Sequence, residues 1–369
     1  MPPKLLYIQN SVHLAGAQKC LSRLLVSEGL HDHAPCLLSK KKGWLTDACV
    51  DAGVDFFTLP FPSSRSLQAK LWKNKSFGRR VVANLRKHFP NQTDWIVHSN
   101  DHPDSLLGLA VARELNAPSV ITLRTPTMSQ RDFQKYQCGK HQHVTAVGNK
   151  LYDRVSEWLS SSRLTLVYDG ISDDEIIQMP PTSLARVDKI VVLGSISPRK
   201  GWQDLIEALL LIESTLPNEP LPEFHFLGDC GAPNELQRLL PRIVELKRIE
   251  VKFIGVTENY REHLVKYSLA LHPSRSESFG MAALECVATG VPLIAGETGM
   301  IPNFIPNREF LHKTSKPKDL ANKLLPLIKK SPKDLYESFN FPVALEAIRS
   351  SFSTRSTIKK LKGIYSNLS

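Results

Sequence analysis

Residues 273–292 read PSRSESFGMAALECVATGVP, and this stretch decides the fold. It follows a short apolar run, Leu269–His272, that predicts the end of a buried strand. Glu277 lies in the loop after that strand, and Gly280 precedes a predicted helix, Met281–Ala288. A strand–loop–helix unit of this kind directs the backbone N–H groups of the helix start towards an anion outside the strand end.

Two glutamates in this stretch, Glu277 and Glu285, are spaced to bind either side of a diphosphate. Glu285 lies five residues past Gly280, which places it roughly 7–8 Å along the helix axis at 1.5 Å rise per residue. That distance is close to the span of a diphosphate. We therefore expect one carboxylate to hold hydroxyls on one side of a diphosphate and the other carboxylate to hold hydroxyls on the far side.

The stretch resembles the donor-site signature of family 4 of the retaining glycosyltransferases, roughly P-S-x-x-E-x-F-G-x-x-x-x-E-x-x-A-x-G-x-P. In that family the first glutamate contacts the transferred sugar and the second contacts the nucleotide ribose. By position, the resemblance assigns these roles to Glu277 and Glu285. The alternative is a capped helix in an unrelated α/β protein.

Other segments resemble the same family in the same order along the chain. They are Leu14–Gln18, Asp94–His98, Val167–Ile171, Gly194–Gly201, Phe226–Asp229 and Val251–Gly255. The resemblance implies an α/β protein with the GT-B fold, in which two Rossmann-like, doubly wound parallel-sheet domains face a central cleft.

Strand-like and helix-like segments alternate along the chain, as in doubly wound parallel sheets. The predicted strands are Leu5–Ile8, Pro35–Leu38, Asp55–Leu59, Trp95–His98, Ser119–Leu123, Val144–Val147, Leu164–Val167, Lys189–Leu193, Glu223–Leu227, Val251–Ile254, Leu269–His272 and Leu293–Ala295.

A proline-rich interruption at Met179–Ser183 places the boundary between the two domains. We predict an acceptor-side domain over residues 1–180, a nucleotide-sugar-binding domain over residues 187–345, and a C-terminal segment, 346–369. The helical tail from Lys316 onward is expected to break at Pro326, Pro332 and Pro342. The resemblance implies that the last helix, Thr354–Asn367, packs back on the first domain.

Sugar transfer from a nucleotide carrier requires a neutralised diphosphate leaving group and exclusion of water. Lys200 stands at a strand-to-helix turn, where its ammonium and the helix start can converge on the diphosphate. The alternative is a solvated lysine at a helix start. The family's second cation falls on Ser195, so either Arg199 replaces it or Ser195 donates only a hydrogen bond. The other donor-side candidates are Gly16, Gly255, Ser278, Phe279, Gly280 and Met281, with Gly16 alternatively a simple tight turn.

The acceptor-side candidates lie in the first half of the chain. Family members often carry a histidine near the end of the fifth strand, and Arg124 is the nearest candidate here. It could stabilise leaving-group charge, recognise an acidic acceptor, or be a surface residue. His98, Asn100 and Asp101 close the fourth strand and are expected to face the cleft, although His98 could equally be a satisfied core histidine.

No residue is identified as a protein nucleophile. The resemblance implies retention of anomeric configuration, with the leaving phosphate assisting deprotonation of the acceptor. It implies neither a metal nor another cofactor, because Lys, Arg and helix N-termini perform the charge neutralisation that Mg²⁺ performs elsewhere. The nucleotide sugar is then a co-substrate.

Composition indicates a cytoplasmic protein without a membrane span, since no segment approaches the roughly 18–20 apolar residues required. The start, Met1–Lys4, runs directly into an apolar strand and leaves no room for a signal peptide. The six cysteines are scattered without a C-x-x-C pair, which favours reduced core residues. Cys138–His143 has the form C-x-x-H-x-H, but a polar loop is favoured because no second Cys or His cluster lies nearby.

The net charge of +11 is concentrated in Arg65–Lys87, which carries eight Lys or Arg residues and no Asp or Glu. Apolar residues recur there at helical spacing, and we expect a basic amphipathic stretch broken at Gly78. One interpretation is a solvated helix that packs its apolar side on the sheet. The other is attraction to an anionic membrane surface, at about 1 kcal/mol per basic residue.

Three functions are consistent with these features. The favoured one is a retaining glycosyltransferase that moves a sugar from a nucleotide-diphosphate sugar to a hydroxyl of a glycan, lipid or small molecule. A GT-B protein that binds nucleotide sugars without transferring them is the second. A basic nucleic-acid-binding α/β protein is the third, but no recognition module accompanies the charge, so we expect no nucleic-acid partner.

Overall fold

The computed structural model describes residues 2–11, 15–62, 67–176, 186–229, 233–257 and 260–368. The chain divides into two compact units, which we describe separately. The first unit comprises Met1–Gly170 and Phe352–Ser369, and the second comprises Ile171–Ser351. The predicted boundary at Met179–Ser183 lies outside the described residues.

Each unit contains one sheet in which all paired strands are parallel. In the described part of the first unit, seven strands follow the order β3-β2-β1-β4-β5-β6-β7. They are β1 Lys4–Gln9, β2 Cys36–Ser39, β3 Asp55–Thr58, β4 Trp95–Ser99, β5 Ser119–Leu123, β6 His143–Ala146 and β7 Leu164–Leu166.

The described part of the second unit has six strands in the order β10-β9-β8-β11-β12-β13. They are β8 Lys189–Leu193, β9 Glu223–Leu227, β10 Val251–Gly255, β11 Leu269–His272, β12 Leu293–Gly296 and β13 Leu311–His312. Every predicted strand is present, with each end within one residue of its predicted position. The prediction of two parallel-sheet α/β domains is therefore confirmed.

Helices connect the strands in both units. They are α1 Gly16–Leu25, α2 Trp44–Asp51, α3 Leu67–His88, α4 Ser105–Leu115, α5 Gln130–Lys135, α6 Asn149–Ser156, α7 Trp202–Thr215, α8 Pro233–Ile243, α9 Tyr260–Leu264, α10 Met281–Ala288, α11 Pro317–Ile328, α12 Pro332–Phe339, α13 Phe341–Ser351 and α14 Thr354–Ser366. One predicted proline break is wrong, because α11 runs through Pro326. The helix ends two residues later, so this proline lies in its last turn and does not interrupt it.

The core of the first unit lies on both faces of its sheet, because strands such as β1 are apolar at every position. Leu5 and Tyr7 pack on one face with α1, α2 and α14. Leu6 and Ile8 pack on the other face with α3 and α4. This is the pattern expected of a parallel strand covered on both sides.

Helix α14 is held in the first unit by apolar contacts and by a buried polar network. Ile358 and Leu361 join the core that contains Leu5 and Tyr7. The hydroxyl of Tyr365 lies 2.7 Å from the Tyr7 hydroxyl and 2.6 Å from Nδ1 of His98. The side chains that tie β1 and β4 to α14 therefore satisfy each other's hydrogen bonds away from water.

Helix α3 corrects the prediction of a break at Gly78, because it is continuous from Leu67 to His88. A Cβ atom at Gly78 would lie 2.8 Å from the carbonyl oxygen of Ala110. The glycine therefore permits a close approach between α3 and α4. Phe77 and Val81 are buried in the core, so the described apolar side of α3 packs on the sheet.

We expect the first unit to lose stability between pH 7 and pH 5, because it contains two buried neutral histidines. Burial lowers the pKa of both His98 and His141 to about 3, and for His98 the nearby Arg124 charge adds to the effect. Their pKa in the unfolded chain is about 6.5. Below that value the unfolded chain binds protons that the folded unit does not, so unfolding is favoured as pH falls.

Each histidine should lower the free energy of unfolding by roughly 2 kcal/mol by pH 5. Urea titrations at fixed pH measure this loss, and this range lies above that in which most carboxylates titrate. His98→Gln should remove its share of the pH dependence. A change in free energy of unfolding from pH 7 to pH 5 that is the same in His98→Gln as in the wild type would contradict the prediction.

Candidate functional site

The candidate site of the second unit lies at the carboxyl ends of β8 and β11, which are paired neighbours. Strand order reverses at this pair, and ligands of open α/β sheets bind at such switch points. After β8 the chain passes Gly194, which has φ of +114°. A Cβ atom there would lie 3.4 Å from Cδ of Lys200. The Lys200 side chain therefore passes close to Gly194, where the positive φ favours glycine.

Glu277 is the centre of this site. Its Oε1 accepts a hydrogen bond from Nζ of Lys200 at 2.6 Å, and its Oε2 accepts one from Nη1 of Arg199 at 3.1 Å. Its side chain is 8% exposed. Burial alone would raise the pKa of this carboxyl, but the close contact with the His272 ring and the charges of Lys200 and Arg199 hold it well below its usual range. Glu277 is therefore ionised at neutral pH.

The structure thus brings together three of the predicted catalytic residues, Lys200, Arg199 and Glu277. The interpretation of Lys200 as a solvated lysine is wrong, because its side chain is only 11% exposed and forms an ion pair. Arg199 is 46% exposed, and its Nη1 also donates to the carbonyl of Ser276 at 2.9 Å. Arg199 is the more accessible of the two cations. Ser195 accepts a hydrogen bond from the Trp202 indole at its carbonyl oxygen, 2.8 Å away.

The two loops that carry these residues are fastened together. The guanidinium of Arg275 donates to both carboxylate oxygens of Asp204, at 2.7 and 2.5 Å, and its backbone N–H donates to the carbonyl of Arg199 at 2.8 Å. Gly201 has φ of +72°, and a Cβ there would lie 2.0 Å from the carbonyl oxygen of Pro273. The bidentate pair of Arg275 and Asp204 fixes the relative orientation of the two side chains and also pairs their charges.

Helix α10 begins beside Glu277 in sequence, and its N-terminus carries no side-chain cap. Its N-cap residue, Gly280, has φ of +109°, and a Cβ there would lie 2.7 Å from Cγ1 of Ile301. The backbone N–H groups from Met281 onward therefore start the helix without a capping side chain, as an anion site requires. Phe279 is a buried core aromatic, and Ser278 between it and Glu277 is partly exposed.

Glu285, the second predicted donor carboxylate, is buried on α10. Its backbone carbonyl accepts a hydrogen bond from Oγ1 of Thr289 at 2.7 Å. Burial and, secondly, the charge of Glu285 raise the pKa of the Tyr260 phenol well above its usual value, so the two side chains are electrostatic neighbours. Gly255, at the end of β10, has φ of +83° and open space where a Cβ would stand.

His272 is a residue of the site that the sequence analysis did not select. It is fully buried at the end of β11. Its Nδ1 lies 3.1 Å from the carbonyl oxygen of Leu193, and its Nε2 lies 3.1 Å from both Oε1 of Glu277 and Oγ of Ser274. The signal in the sequence was a histidine at the last position of a strand whose following loop carries Glu277.

In the first unit, Arg124 is buried and not a surface residue. Its Nη1 pairs with the carboxylate of Asp169, its Nε donates to the Asn100 carbonyl at 3.0 Å, and its Nη2 donates to the Asn100 side chain at 3.1 Å. The surface interpretation is therefore wrong. Asp169 compensates the charge of Arg124. The contacts of Arg124 therefore hold together the segments that follow β4 and β7 in this unit.

His98 and Asn100 make side-chain contacts within the first unit, and their acceptor-side assignment stays a prediction. Both are buried, and Nε2 of His98 lies 2.8 Å from Oγ1 of Thr122 while Nδ1 meets Tyr365. The side chain of Asn100 is held between Gln9 and Arg124. The interpretation of His98 as a satisfied core histidine is the one that these contacts support.

Of the predicted acceptor-side residues His98, Asn100 and Asp101, Asp101 lines a cavity in the first unit. The cavity has a volume of about 400 Å³ and opens at the carboxyl ends of β1, β2 and β4. Its walls include Gln9, Asn10, Gln18, Lys40, Lys41, Asp101 and Asp104. Gly16 is the first residue of α1, the helix that supplies Gln18 to the wall.

Cys138 and His141 both lie beside Ser105, with Nε2 of His141 at 3.0 Å from its Oγ. Within the described residues, no three His, Cys, Asp or Glu side chains stand close enough together to hold a metal ion. The five described cysteines are all buried.

Residues 187–330 match the family described as glycosyl transferases group 1. The matched range contains Lys200, Glu277 and Glu285. The match lies within the second unit. The ion-paired Glu277 and the uncapped start of α10 therefore lie in the part of the chain that is similar to the group 1 glycosyl transferases.

Curated relatives carry related names. A D-inositol 3-phosphate glycosyltransferase of Jonesia denitrificans is 32% identical over 33% of this chain and 30% of its own length. An alpha-monoglucosyldiacylglycerol synthase of Acholeplasma laidlawii is 25% identical over 62% of this chain and 64% of its own length. The chain thus spans less than two thirds of the length of either relative.

A solved structure covers the whole chain. The structure of Anabaena HepE in complex with UDP and glucose matches 99% of this chain and 100% of its own, with a TM-score of 0.80 and 16% identity. At this identity the likeness concerns the fold. Together with the two all-parallel sheets, it confirms the predicted GT-B fold.

Proposed function

We propose that the protein is a retaining glycosyltransferase that moves a sugar from a nucleotide-diphosphate sugar to an acceptor hydroxyl. The observation that carries this proposal is the Glu277 carboxylate, bound by Lys200 and Arg199 in the loop before the uncapped N-terminus of α10. A carboxylate can hold sugar hydroxyls, while two cations and a helix start can hold a diphosphate.

In the proposed reaction the bond from the anomeric carbon to the diphosphate oxygen breaks, and negative charge develops on the diphosphate. Lys200, Arg199 and the first N–H groups of α10 stabilise that charge, and Glu277 holds the sugar. The acceptor oxygen bonds to the anomeric carbon, and its proton goes to the leaving phosphate. Because acceptor and leaving group use the same face of the sugar, configuration is retained. Protein cations supply the neutralisation, so we propose a reaction without a metal.

A donor screen tests this function. UDP is the first nucleotide to examine because HepE was solved with it. We expect one of UDP-glucose, GDP-mannose or ADP-glucose to raise Tm and to release free sugar slowly into water without an acceptor. Binding without any sugar release would favour the alternative of a non-catalytic nucleotide-sugar-binding protein. No binding of any of the three would contradict the proposal.

The acceptor is proposed to bind in the cavity of the first unit. Amide and carboxylate groups, including Gln9, Gln18 and Asp101, line its wall. Asn10 donates its backbone N–H to Oδ1 of Asp104 at 3.0 Å, and burial raises the pKa of that carboxyl well above its usual value. Such a wall suits a ligand with several hydroxyls, and it is compatible with a glycan, a lipid headgroup or a small molecule.

We further propose that the protein is cytoplasmic and that a basic face of α3 draws it to an anionic membrane surface. The cations of this α3 basic face are Lys73, Lys75, Arg79, Arg80, Arg86 and Lys87, all exposed. Since the apolar residues described on α3, such as Phe77 and Val81, are buried in the core, we propose an electrostatic attraction. No helix among the described residues is long and apolar enough to cross a membrane.

Liposome flotation tests this attraction. We expect binding to vesicles that contain anionic lipid, and weaker binding as salt rises, because screening acts beyond roughly 8 Å at physiological ionic strength. Replacing Lys73, Lys75, Arg80 and Lys87 by Ser should lower vesicle binding at least about 10-fold, given about 1 kcal/mol per charge.

The matched control replaces four exposed lysines of the second unit, Lys313, Lys316, Lys318 and Lys333, and should float like the wild type. Wild-type protein that ignores anionic vesicles at low salt would show that the α3 basic face is only solvated. A salt-sensitive gel shift with nucleic acid would instead support the nucleic-acid alternative.

A further inference from the structure

We propose that His272 is a positioning residue that takes up a proton when the donor diphosphate binds, and that its imidazolium then holds Glu277 in place of Lys200. This inference rests on the proposed function, because it requires a nucleotide-sugar donor at the site. It adds a residue to the site and a proton to the binding step.

The contacts of the neutral His272 ring leave its Nε2 without a hydrogen to donate to Glu277. Nδ1 faces the Leu193 carbonyl oxygen at 3.1 Å, which can only accept, so Nδ1 carries a hydrogen. In the neutral ring Nε2 then has a lone pair, which the Ser274 hydroxyl can satisfy. The same lone pair lies 3.1 Å from Oε1 of Glu277, a carboxylate oxygen that also needs a donor. A second ring proton would turn this contact into a charge-assisted hydrogen bond.

Lys200 fills that need in the structure. Its ammonium lies 2.6 Å from Oε1 of Glu277, the same oxygen that His272 faces. Burial first, and then the positive charge of Lys200, lower the pKa of His272 below its usual value. The ring is therefore neutral at pH 7 while Lys200 remains on Glu277.

The other charged groups around the ring do not supply this proton. Arg199, from the turn before α7, pairs with the other oxygen of Glu277. The carboxylate of Asp204, on α7, accepts two hydrogen bonds from the guanidinium of Arg275. His312 of β13 is buried, and burial lowers its pKa, so it is a neutral neighbour. From β8 the ring meets only a backbone carbonyl. Lys200 and Glu277 are thus the charges that set the protonation of His272.

Diphosphate binding changes both of these charges. The phosphates add negative charge beside Lys200 and attract its ammonium, which moves away from Oε1 of Glu277. The repulsion on His272 then falls, and the attraction of Glu277 for a ring proton rises. One cation on Glu277 is exchanged for another, so the carboxylate stays in position for the sugar hydroxyls while Lys200 serves the leaving group.

Calorimetry of the full chain with UDP-glucose measures the proton directly. The diphosphate of this ligand is esterified at both ends and does not titrate near neutral pH. A binding heat that depends on the buffer therefore reports protons that the protein takes up or releases. At pH 7, in buffers of different ionisation enthalpy, we expect net uptake of about 0.3–1 proton per ligand, and affinity that increases up to about 10-fold per unit of falling pH.

Two variants assign the proton to His272. His272→Gln keeps a hydrogen-bonding side chain without a titrating ring, and Glu277→Gln removes the charge that attracts the proton. Both should bind UDP-glucose with uptake near zero. His312→Gln, a matched buried histidine of the same unit, should keep the wild-type uptake.

Wild-type binding without proton uptake would overturn the inference and leave the proposed function standing. Uptake that persists in His272→Gln, or in Glu277→Gln should the first variant fail to fold, would also overturn it. If neither UDP-glucose, GDP-mannose nor ADP-glucose binds, the proposed function fails and the inference fails with it.

Discussion

Lys200→Ala should lower the rate of sugar transfer by about 10²–10³, which corresponds to about 2.7–4 kcal/mol, the usual effect of losing one contact to developing negative charge. The ammonium is ion-paired to Glu277 and is proposed to turn to the diphosphate as it departs. Its loss therefore affects the leaving group directly. Steady-state kinetics with the donor identified by the screen measure the effect.

The variant needs a stability control, because Lys200 is less exposed than the sequence suggested. Removing it leaves Glu277 with Arg199 and His272 as partners, so we expect a folded protein with a lowered Tm. Arg199→Ala is the matched variant, since it removes the more exposed cation. A wild-type rate in Lys200→Ala together with a large loss in Arg199→Ala would move the leaving-group role to Arg199.

Glu285→Ala should weaken binding of free UDP by about 10- to 100-fold, because a buried carboxylate that accepts two ribose hydroxyls contributes about 1.5–3 kcal/mol. Glu277→Ala should bind free UDP as tightly as the wild type or more tightly. UDP carries no sugar for Glu277 to hold, and Lys200 and Arg199 lose their competing partner. Isothermal titration calorimetry of both variants measures the difference.

This pair of variants separates the roles that the family resemblance assigns to the two glutamates. Circular dichroism and Tm should first establish that each variant is folded, since both carboxylates are largely buried. Equal losses of UDP affinity would contradict the division into a sugar-binding and a ribose-binding carboxylate. If the donor screen selects another base, the matching nucleoside diphosphate replaces UDP in the same experiment.

The strands were predictable because each is a short apolar run bounded by polar or turn residues, which is how a covered parallel strand reads. Strand β13 was not predicted, because two residues, Leu311 and His312, give no periodicity. The continuity of α3 through Gly78 was missed for a different reason. A glycine that ends a helix cannot be distinguished in the sequence from a glycine that allows a second helix to approach closely. The short distance from Gly78 to the Ala110 carbonyl shows that Gly78 has the second role.

For the site, the sequence could predict which residues lie at adjacent strand ends, since topology places Lys200 and Glu277 together. It could not predict that they would pair with each other, or that Arg275 would fasten Asp204, because these contacts join positions more than 70 apart along the chain. The same holds for Arg124, whose partner Asp169 lies on a different loop. Distant polar pairing depends on packing, which a local pattern does not contain.

The position of α14 has a consequence for how the protein is made. Tyr7 and Tyr365, which share a hydrogen bond, are 358 positions apart, and the whole second unit is synthesised between the two parts of the first. At about 5–20 residues per second, the ribosome needs on the order of ten to forty seconds to add that unit. During this interval the second unit can fold as one continuous stretch, while the part of the earlier sheet that α14 covers stays exposed beside α1 and α2. A chain that stops at residue 351 should therefore lack the α14 share of this core and expose the apolar residues that α14 covers.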